Sequence, residues 1–350
     1  MKVTVEKTFQ NCKDDPRHII LDVRTSAECS QGIPQGATCI ELTDIACVAF
    51  KKLSKDNYYY IICQSSQRSA LAIQQLKSLG FNHLYHINDG YQEWSRQKLP
   101  IEIPKSNNHD VRYQRHHQLK GFGRKAQDKL NNAHALLIGA GGLGSSSALY
   151  LAAAGVGQIT IVDDDIVQLS NLQRQIIHTT DSIGSFKVDS AKNKMSAINP
   201  EIKINAISSR IEKNNVQSMI QKVDVVIDGS DNLPTRYLVN DTCLQLNKPL
   251  VYAAVYQYEA QISVFNFAKQ NTACLRCLFP QTKGFEPTNC STEGVLGVVP
   301  GLAGIWQASE AIKLITNIGQ LLEGQLLIID LLTNNTHRIK FSKDSHCNLH

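Results

Sequence analysis

Several groups of residues in this 350-residue chain have types and spacings that could do chemistry. The first is a glycine loop, Gly139-Ala-Gly-Gly-Leu-Gly144, set between an apolar run and a helical stretch of small residues. Glycines let the backbone approach a phosphate, and the start of the next helix offers unpaired N–H groups at a positive dipole end. Asp163 closes the following apolar run, about 20 residues on, where an acidic side chain can take ribose hydroxyls. Alone, this pattern favours a nicotinamide or flavin enzyme. Its companions displace that reading: Ser170-Asn-Leu-Gln-Arg-Gln175, Lys187 in Gly-Ser-Phe-Lys, and Asp228-Gly-Ser-Asp-Asn232. Hydride transfer has little use for two cations and a carboxylate at the phosphates. Phosphate cleavage does, because charge builds on the transferring and leaving groups. Arg174 offers a planar fork and Lys187 a point charge, and a carboxylate at a strand's end can hold Mg²⁺.

The ten cysteines form the other groups. Cys274-Leu-Arg-Cys277 and the terminal Cys347-Asn-Leu-His350 are two pairs at metal-ligand spacing, which the fold could join into a closed Cys₃His zinc site. Cys290 lies in a polar, glycine-containing loop, Pro287 to Gly297, and becomes a nucleophile if nearby positive charge favours its thiolate. Cys63-Gln-Ser-Ser-Gln-Arg68 falls between a strand and a helix. Backbone amides and the helix dipole there favour a thiolate, and the Arg68 guanidinium can stabilise an anion at the cysteine. Cys12, Cys29, Cys39, Cys47 and Cys243 are expected to be small buried residues.

The elements that must position these groups follow from periodicity. His18–Val23 and Tyr58–Ile62 read as buried strands, and Ser69–Leu79 as a helix closed by Gly80. Pro100–Asp110, with two prolines and a polar run, reads as a linker, giving domains of residues 1–104 and 105–350. Beyond it, Ala135–Ile138, Ile159–Val162, Val223–Ile227 and Leu250–Val255 are expected strands, and Gln261–Phe267 alternates like an edge strand. Gly304–Ile315 has a helix's apolar face, and Gln325–Phe341 reads as a hairpin turning at Thr333–Thr336. This alternation predicts an α/β fold: a small α/β domain, then a Rossmann-like domain with a mixed, largely parallel sheet.

Bulk properties remove other classes. A hydrophobic share of 42% and a charged share of 19% suit a globular chain rather than a disordered one. A net charge of +5, scattered along the chain, argues against a dedicated nucleic-acid binder. No apolar run is long enough to span a membrane, and the N-terminus lacks a signal-peptide core, so a cytoplasmic protein with reduced cysteines is expected.

From Arg112 to His350 the sequence resembles the MoeB/ThiF group of ubiquitin-activating-enzyme-like adenylyltransferases. The resemblance rests on Arg112-Tyr-Gln-Arg115, the glycine loop, Asp163, Ser170–Gln175, Lys187, Ser230-Asp-Asn232 and the Cys290 segment. It implies Asp163 on the ribose, with Asn171, Arg174 and Lys187 on the triphosphate of ATP. It also implies Mg²⁺ on Asp231 beside Asn232, and Arg115 supplied across a homodimer. In such enzymes the C-terminal glycine carboxylate of a ubiquitin-like protein attacks the α-phosphate. The family's loop cysteine, matched by Cys290, forms thioester, acyl-disulfide or persulfide-linked species. Its second C-x-x-C is matched here with His350 in place of the fourth cysteine.

Residues 5 to 100 resemble rhodanese sulfurtransferases, through the Cys63-x₄-Arg68 loop, Leu21-Asp-Val-Arg24, Gly32–Ala37 and Asn88–Trp94. Gln64, Ser65 and Ser66 depart from the usual loop interior, and Asp22 and Arg24 are expected to brace the loop. Together the resemblances imply adenylation of a sulfur carrier followed by sulfur transfer from a Cys63 persulfide. The product would be a thiocarboxylate for molybdopterin, thiazole or tRNA thiolation. Thiosulfate or a cysteine desulfurase would supply the sulfur. The competing reading is a nicotinamide-dependent oxidoreductase carrying a non-catalytic rhodanese docking domain.

Overall fold

The structure, a computed structural model, describes residues 2–103, 111–280 and 294–349. Cys290, His350 and most of the expected linker Pro100–Asp110 lie outside the described residues. The chain divides into two compact units, residues 1–114 and 115–350.

In the first unit the strands are β1 (Lys2–Val3), β2 (His18–Asp22), β3 (Ile33–Pro34), β4 (Thr38–Cys39), β5 (Tyr58–Ile62), β6 (Leu84–Ile87) and β7 (Ile101–Glu102). Five form a parallel sheet ordered β1-β6-β5-β2-β4, and β3 pairs with β7 separately. Alternation along β2 and β5 divides their side chains between two cores. Leu21, Tyr59 and Ile61 join one with Ala72 and Leu76 of the helix Gln67–Ser78, while Ile20, Tyr60 and Ile62 join the other with Val5 and Trp94. Each large apolar side chain buried this way contributes roughly 1.5–3 kcal/mol. The helix Gln67–Ser78 ends where Gly80 takes φ +84 and Phe81 N–H bonds back to Leu76 O. In-register pairing of Asp22 with Ile62 and with Cys39 puts the ends of β4, β2 and β5 side by side.

The second unit is built on β8 (His134–Ile138), β9 (Gln158–Val162), β10 (Lys203–Ile207), β11 (Val225–Asp228), β12 (Leu250–Tyr256), β13 (Glu259–Phe265), β14 (Gln325–Asp330) and β15 (Asn335–Lys340). The order is β10-β9-β8-β11-β12-β13-β14-β15, parallel from β10 to β12 and antiparallel thereafter. Both faces of β8 are apolar: Ala135 and Leu137 enter one core, Leu136 and Ile138 the other. That is the pattern of a strand covered by helices on two sides. Three sequence expectations shift. The Gln261–Phe267 segment is not an edge; β13 pairs with β12 and β14. Its buried Ser263 hydroxyl donates to Gln325 O at 2.9 Å, so the polar residue is satisfied inside the sheet. The helix expected from Gly304 begins at Val298, because Pro300 is tolerated in a first turn. The last hairpin turns over residues 331–334, with Asn334 at φ +59. Among the described residues no helix is long and apolar enough to cross a membrane.

Candidate functional site

The glycine loop leaves β8 with Gly139 at φ +91, and a Cβ there would lie 2.7 Å from Gly229 O. At Gly144 a Cβ would lie 2.0 Å from Gly139 O. Both positions therefore demand glycine, one for conformation and close approach, the other for space. Gly141 caps the helix Gly142–Ala154, whose N-terminus faces a cleft of about 420 Å³. That helix is anchored from behind by Val298–Thr316: a Cβ on Gly304 would meet Ser146 Oγ at 2.1 Å, and Ser147 Oγ donates to Gly304 O at 3.0 Å.

The cleft brings together Gly139, Gly141, Gly142, Asp163, Asn171, Arg174, Lys187, Asp231 and Asn232. They reach it from the ends of β8, β9 and β11 and from the turns that follow. Asp163 Oδ2 accepts the Ala140 N–H at 2.7 Å and Oδ1 accepts the Asp165 N–H at 2.9 Å. Burial holds its carboxyl above the usual carboxylate range, opposed only in part by these amides. Lys187 is buried, and its ammonium donates to Asp165 Oδ2 at 2.7 Å. Arg174 donates to Ser170 O at 3.1 Å. Asn171 Oδ1 accepts from Gln168 N–H, which fixes the turn carrying Arg174. Asp231 is exposed, while Asn232 Oδ1 caps the helix Leu233–Gln245 by accepting Thr235 N–H at 3.0 Å. Arg115, on the short helix Gln114–His117, is exposed and does not line this cleft.

Sequence reasoning missed two supports. His178, buried, places Nε2 3.0 Å from Ala140 O and Nδ1 2.9 Å from Ser190 Oγ. A neutral ring protonated at Nε2 satisfies both, donating to the carbonyl and accepting from the hydroxyl. Burial lowers its pKa, which favours that form. The Ala140 peptide is thus held at its N–H by Asp163 and at its C=O by His178. Arg236, also buried at the cleft, donates to Ser230 O at 2.7 Å and to Tyr252 Oη at 3.1 Å, fixing the turn that presents Asp231. Its position one turn into a helix after Ser-Asp-Asn was the available signal.

Cys274, Cys277 and Cys347 converge, with Cys274 Sγ 3.7 Å from each of the other two sulfurs and all three within 4.8 Å. Thiolates about 2.3 Å from a tetrahedral zinc stand roughly 3.8 Å apart, so the donor set fits that ion.

In the first unit, Cys63 directly follows β5, nearly fully buried, with Sγ 3.3 Å from Ser69 Oγ. Ser69 in turn donates to Ser66 O and lies 2.8 Å from His86 Nε2. The loop turns into its helix through Ser66 at φ +70. Gly90 makes room for it: a Cβ there would meet Cys63 O and Gln64 O at 2.6 Å. Both arms of the Arg68 guanidinium bond to Glu28, each at 2.6 Å. In this structure Arg68 therefore tethers the loop to the helix Ser26–Cys29, and Glu28 is a further residue that sequence reasoning missed. Arg24 makes a bidentate, fully buried pair with Asp22 and donates to Gly32 O, its guanidinium lying 3.5 Å over the Tyr91 ring. These two residues brace the segment between β2 and β4.

A glycine loop opening a helix on a mixed sheet, preceded by a cysteine loop on a small parallel sheet, defines a two-module α/β protein. The chain belongs to the ThiF family, whose model matches residues 113–349; a rhodanese-like domain model matches residues 5–97. Adenylyltransferase and sulfurtransferase MOCS3-1 of Zea mays is 44% identical over 241 residues, which cover 67% of this chain and 51% of that protein. SAMP-activating enzyme E1 of Haloferax volcanii is 40% identical over 238 residues, covering 67% and 87%. Sulfur carrier protein adenylyltransferase of Thermus thermophilus is 39% identical over 241 residues, covering 67% and 89%. The chain spans about half the length of the MOCS3 relatives it matches. The solved structure of the Microcin C7 biosynthetic enzyme MccB with N-formylated MccA shares the fold, with a TM-score of 0.62, 22% identity and 81% coverage of each chain.

Proposed function

We propose that this chain adenylates the C-terminal glycine carboxylate of a ubiquitin-like sulfur carrier and then transfers sulfur to it from Cys63. The observation that carries the reading is the convergence of the glycine loop, Asp163, Arg174, Lys187 and Asp231 on one cleft. The carrier carboxylate attacks the α-phosphorus of ATP, the bond to pyrophosphate breaks, and an acyl-adenylate remains. Arg174 and Lys187 take the charge that builds on the phosphates, and Asp231 would hold the Mg²⁺ that neutralises it. The glycine loop and the N-terminus of its helix hold phosphate oxygens through backbone N–H groups. Lys187 exchanges its Asp165 partner for a phosphate when nucleotide enters.

In the second step the terminal sulfur of a Cys63 persulfide attacks the acyl carbon and AMP leaves. A second thiol, for which Cys290 is our choice, attacks the Cys63 sulfur of the resulting acyl disulfide. A Cys63–Cys290 disulfide forms, the S–S bond to the acyl sulfur breaks, the thiocarboxylate leaves, and a dithiol reductant reopens the disulfide for the next turnover. Glu28 and Arg68 keep the Cys63 loop in shape, and thiosulfate or a cysteine desulfurase loads it. Cys274, Cys277 and Cys347, with His350 as fourth ligand, would hold a structural zinc. The working protein is a cytoplasmic homodimer in which Arg115 serves the partner's cleft, and its product feeds molybdopterin, thiazole or tRNA thiolation. Carrier-dependent exchange of labelled pyrophosphate into ATP tests the first step. Loss of exchange in Asp231→Ala with retained exchange in Cys63→Ala is expected. Exchange insensitive to Asp231, or NAD binding in place of ATP, would overturn the reading.

A further inference from the structure

Cys29 and Cys39 belong neither to the Cys63 loop nor to the Cys274 cluster; Cys29 is buried as expected of a small core residue, and Cys39 is only half-buried. Their sulfurs and an Asp22 carboxylate oxygen lie within 4.8 Å of one another. Cys29 is buried at the end of the helix Ser26–Cys29, and Cys39 is half-buried at the end of β4. The cluster is poorly suited to a cation, because Asp22 already gives both oxygens to the Arg24 guanidinium, at 3.0 and 2.6 Å. What remains is a pair of thiols whose sulfurs lie within 4.8 Å of each other. A hydrogen bond to Cys39, then burial, then the Asp22 charge push the Cys29 thiol strongly up. Cys29 therefore keeps its proton, its Sγ donating to Arg24 O at 3.9 Å, and Cys39 is the more accessible sulfur of the two.

We propose that Cys29 and Cys39 are a reversible dithiol–disulfide couple, oxidised by a peroxide and restored by a small dithiol. The Cys39 sulfur attacks one peroxide oxygen, the O–O bond breaks, and one water leaves to give a sulfenic acid. The Cys29 sulfur then attacks the Cys39 sulfur. An S–S bond forms, the S–O bond breaks, and a second water leaves with the Cys29 proton. The two thiols lose two electrons and the peroxide gains them. The pairing of one half-exposed thiol with a buried resolving thiol stops oxidation at the reversible stage.

The cross-link would close residues 29–39 into a ring. That ring contains Gly32, whose carbonyl accepts from Arg24 at 2.7 Å, and it begins next to Glu28, which holds Arg68. The couple thus adjoins Glu28, which holds the Cys63 loop through Arg68. It rests on the placement of Cys29 and Cys39 and stands whether or not the chain adenylates a carrier.

The test uses the full chain, treated with hydrogen peroxide, then with an alkylating agent, and cut after glutamates. The peptide Cys29–Glu41 contains both cysteines and no other. It is expected unalkylated and lighter by two hydrogens, and after reduction with dithiothreitol it should take up two alkyl groups. In Cys39→Ser treated alike, Cys29 should remain alkylatable. Two alkyl groups on the oxidised wild-type peptide would overturn the proposal. So would Cys39 recovered as a sulfinic acid or joined to a different cysteine.

Discussion

Replacing His178 by leucine removes the donor to Ala140 O and the acceptor for Ser190 Oγ, in a site only 5% exposed. A buried carbonyl left without its donor costs about 1–3 kcal/mol. If that cost falls on nucleotide binding, the dissociation constant for ATP rises by roughly 5- to 150-fold. The Ala140 N–H remains held by Asp163 at 2.7 Å, so the loop loosens at one end only and the lower half of that range is expected. His178→Gln keeps a donor at similar reach and should recover most of the affinity. Equilibrium binding of ATP, with the thermal midpoint measured beside it, separates the outcomes. A raised Kd in the leucine protein, rescued by glutamine, is the expected result. An unchanged Kd alongside a lowered Tm would show that His178 supports the fold without shaping the loop.

The same residue predicts a pH effect. Burial sets the folded pKa of His178 below its ordinary value of 6.5. The unfolded chain then binds more protons between the folded pKa and 6.5, so stability falls as pH drops through that window and levels off below it. His178→Gln should flatten the slope by at most one proton, about 1.4 kcal/mol per pH unit. His134, also lowered chiefly by burial, keeps its share of the slope.

Other perturbations have equally direct readings. Glu28→Gln breaks the fork to Arg68, and sulfur transfer from thiosulfate to cyanide should fall at least tenfold while ATP binding is unchanged; equal loss of both would refute a local role. Its hydrogen bonds to Arg68 pull the Glu28 carboxyl down from 4.5 to about 2, so this support is complete above pH 4.5 and is lost on acidification toward 2. That window is checked by following sulfur transfer against pH in wild type and variant. Cys277→Ser should release zinc, measured by atomic emission, and lower the Tm of the second unit; zinc retained at full stoichiometry would remove Cys277 from the ligand set. Gly144→Ala forces a Cβ to within 2.0 Å of Gly139 O and should abolish ATP binding in a chain whose first unit still melts normally.

Local features of the fold were legible in the sequence because local physics decides them. The run Tyr58–Ile62 is β5 residue for residue, and Gly80 closes the preceding helix where a left-handed residue is required. The glycine loop announces itself because two of its positions admit no side chain. Long-range contacts were not legible. Glu28 meets Arg68 across 40 residues and His178 meets Ala140 across 38, and neither pairing leaves a local pattern. The strand Lys203–Ile207 escaped notice because it lies at the sheet's edge, mostly half-buried, and so carries no continuous apolar run. The segment Gln261–Phe267 misled because polar residues on an interior strand mimic a solvent face when their partners lie inside the sheet. Cys29 and Cys39, ten positions apart, likewise meet only once β4 pairs beside β2.

The central claim is that one chain both activates a carrier's carboxylate and delivers sulfur to it. Mass spectrometry of ubiquitin-like carriers incubated with the full chain, ATP, Mg²⁺ and a sulfur donor tests it most directly. The account predicts a carrier in which one oxygen is replaced by sulfur, and, with Cys63→Ala, a carrier that reaches the adenylate and stops. Thiocarboxylate formed at the normal rate by Cys63→Ala, with no other sulfurtransferase present, would contradict it.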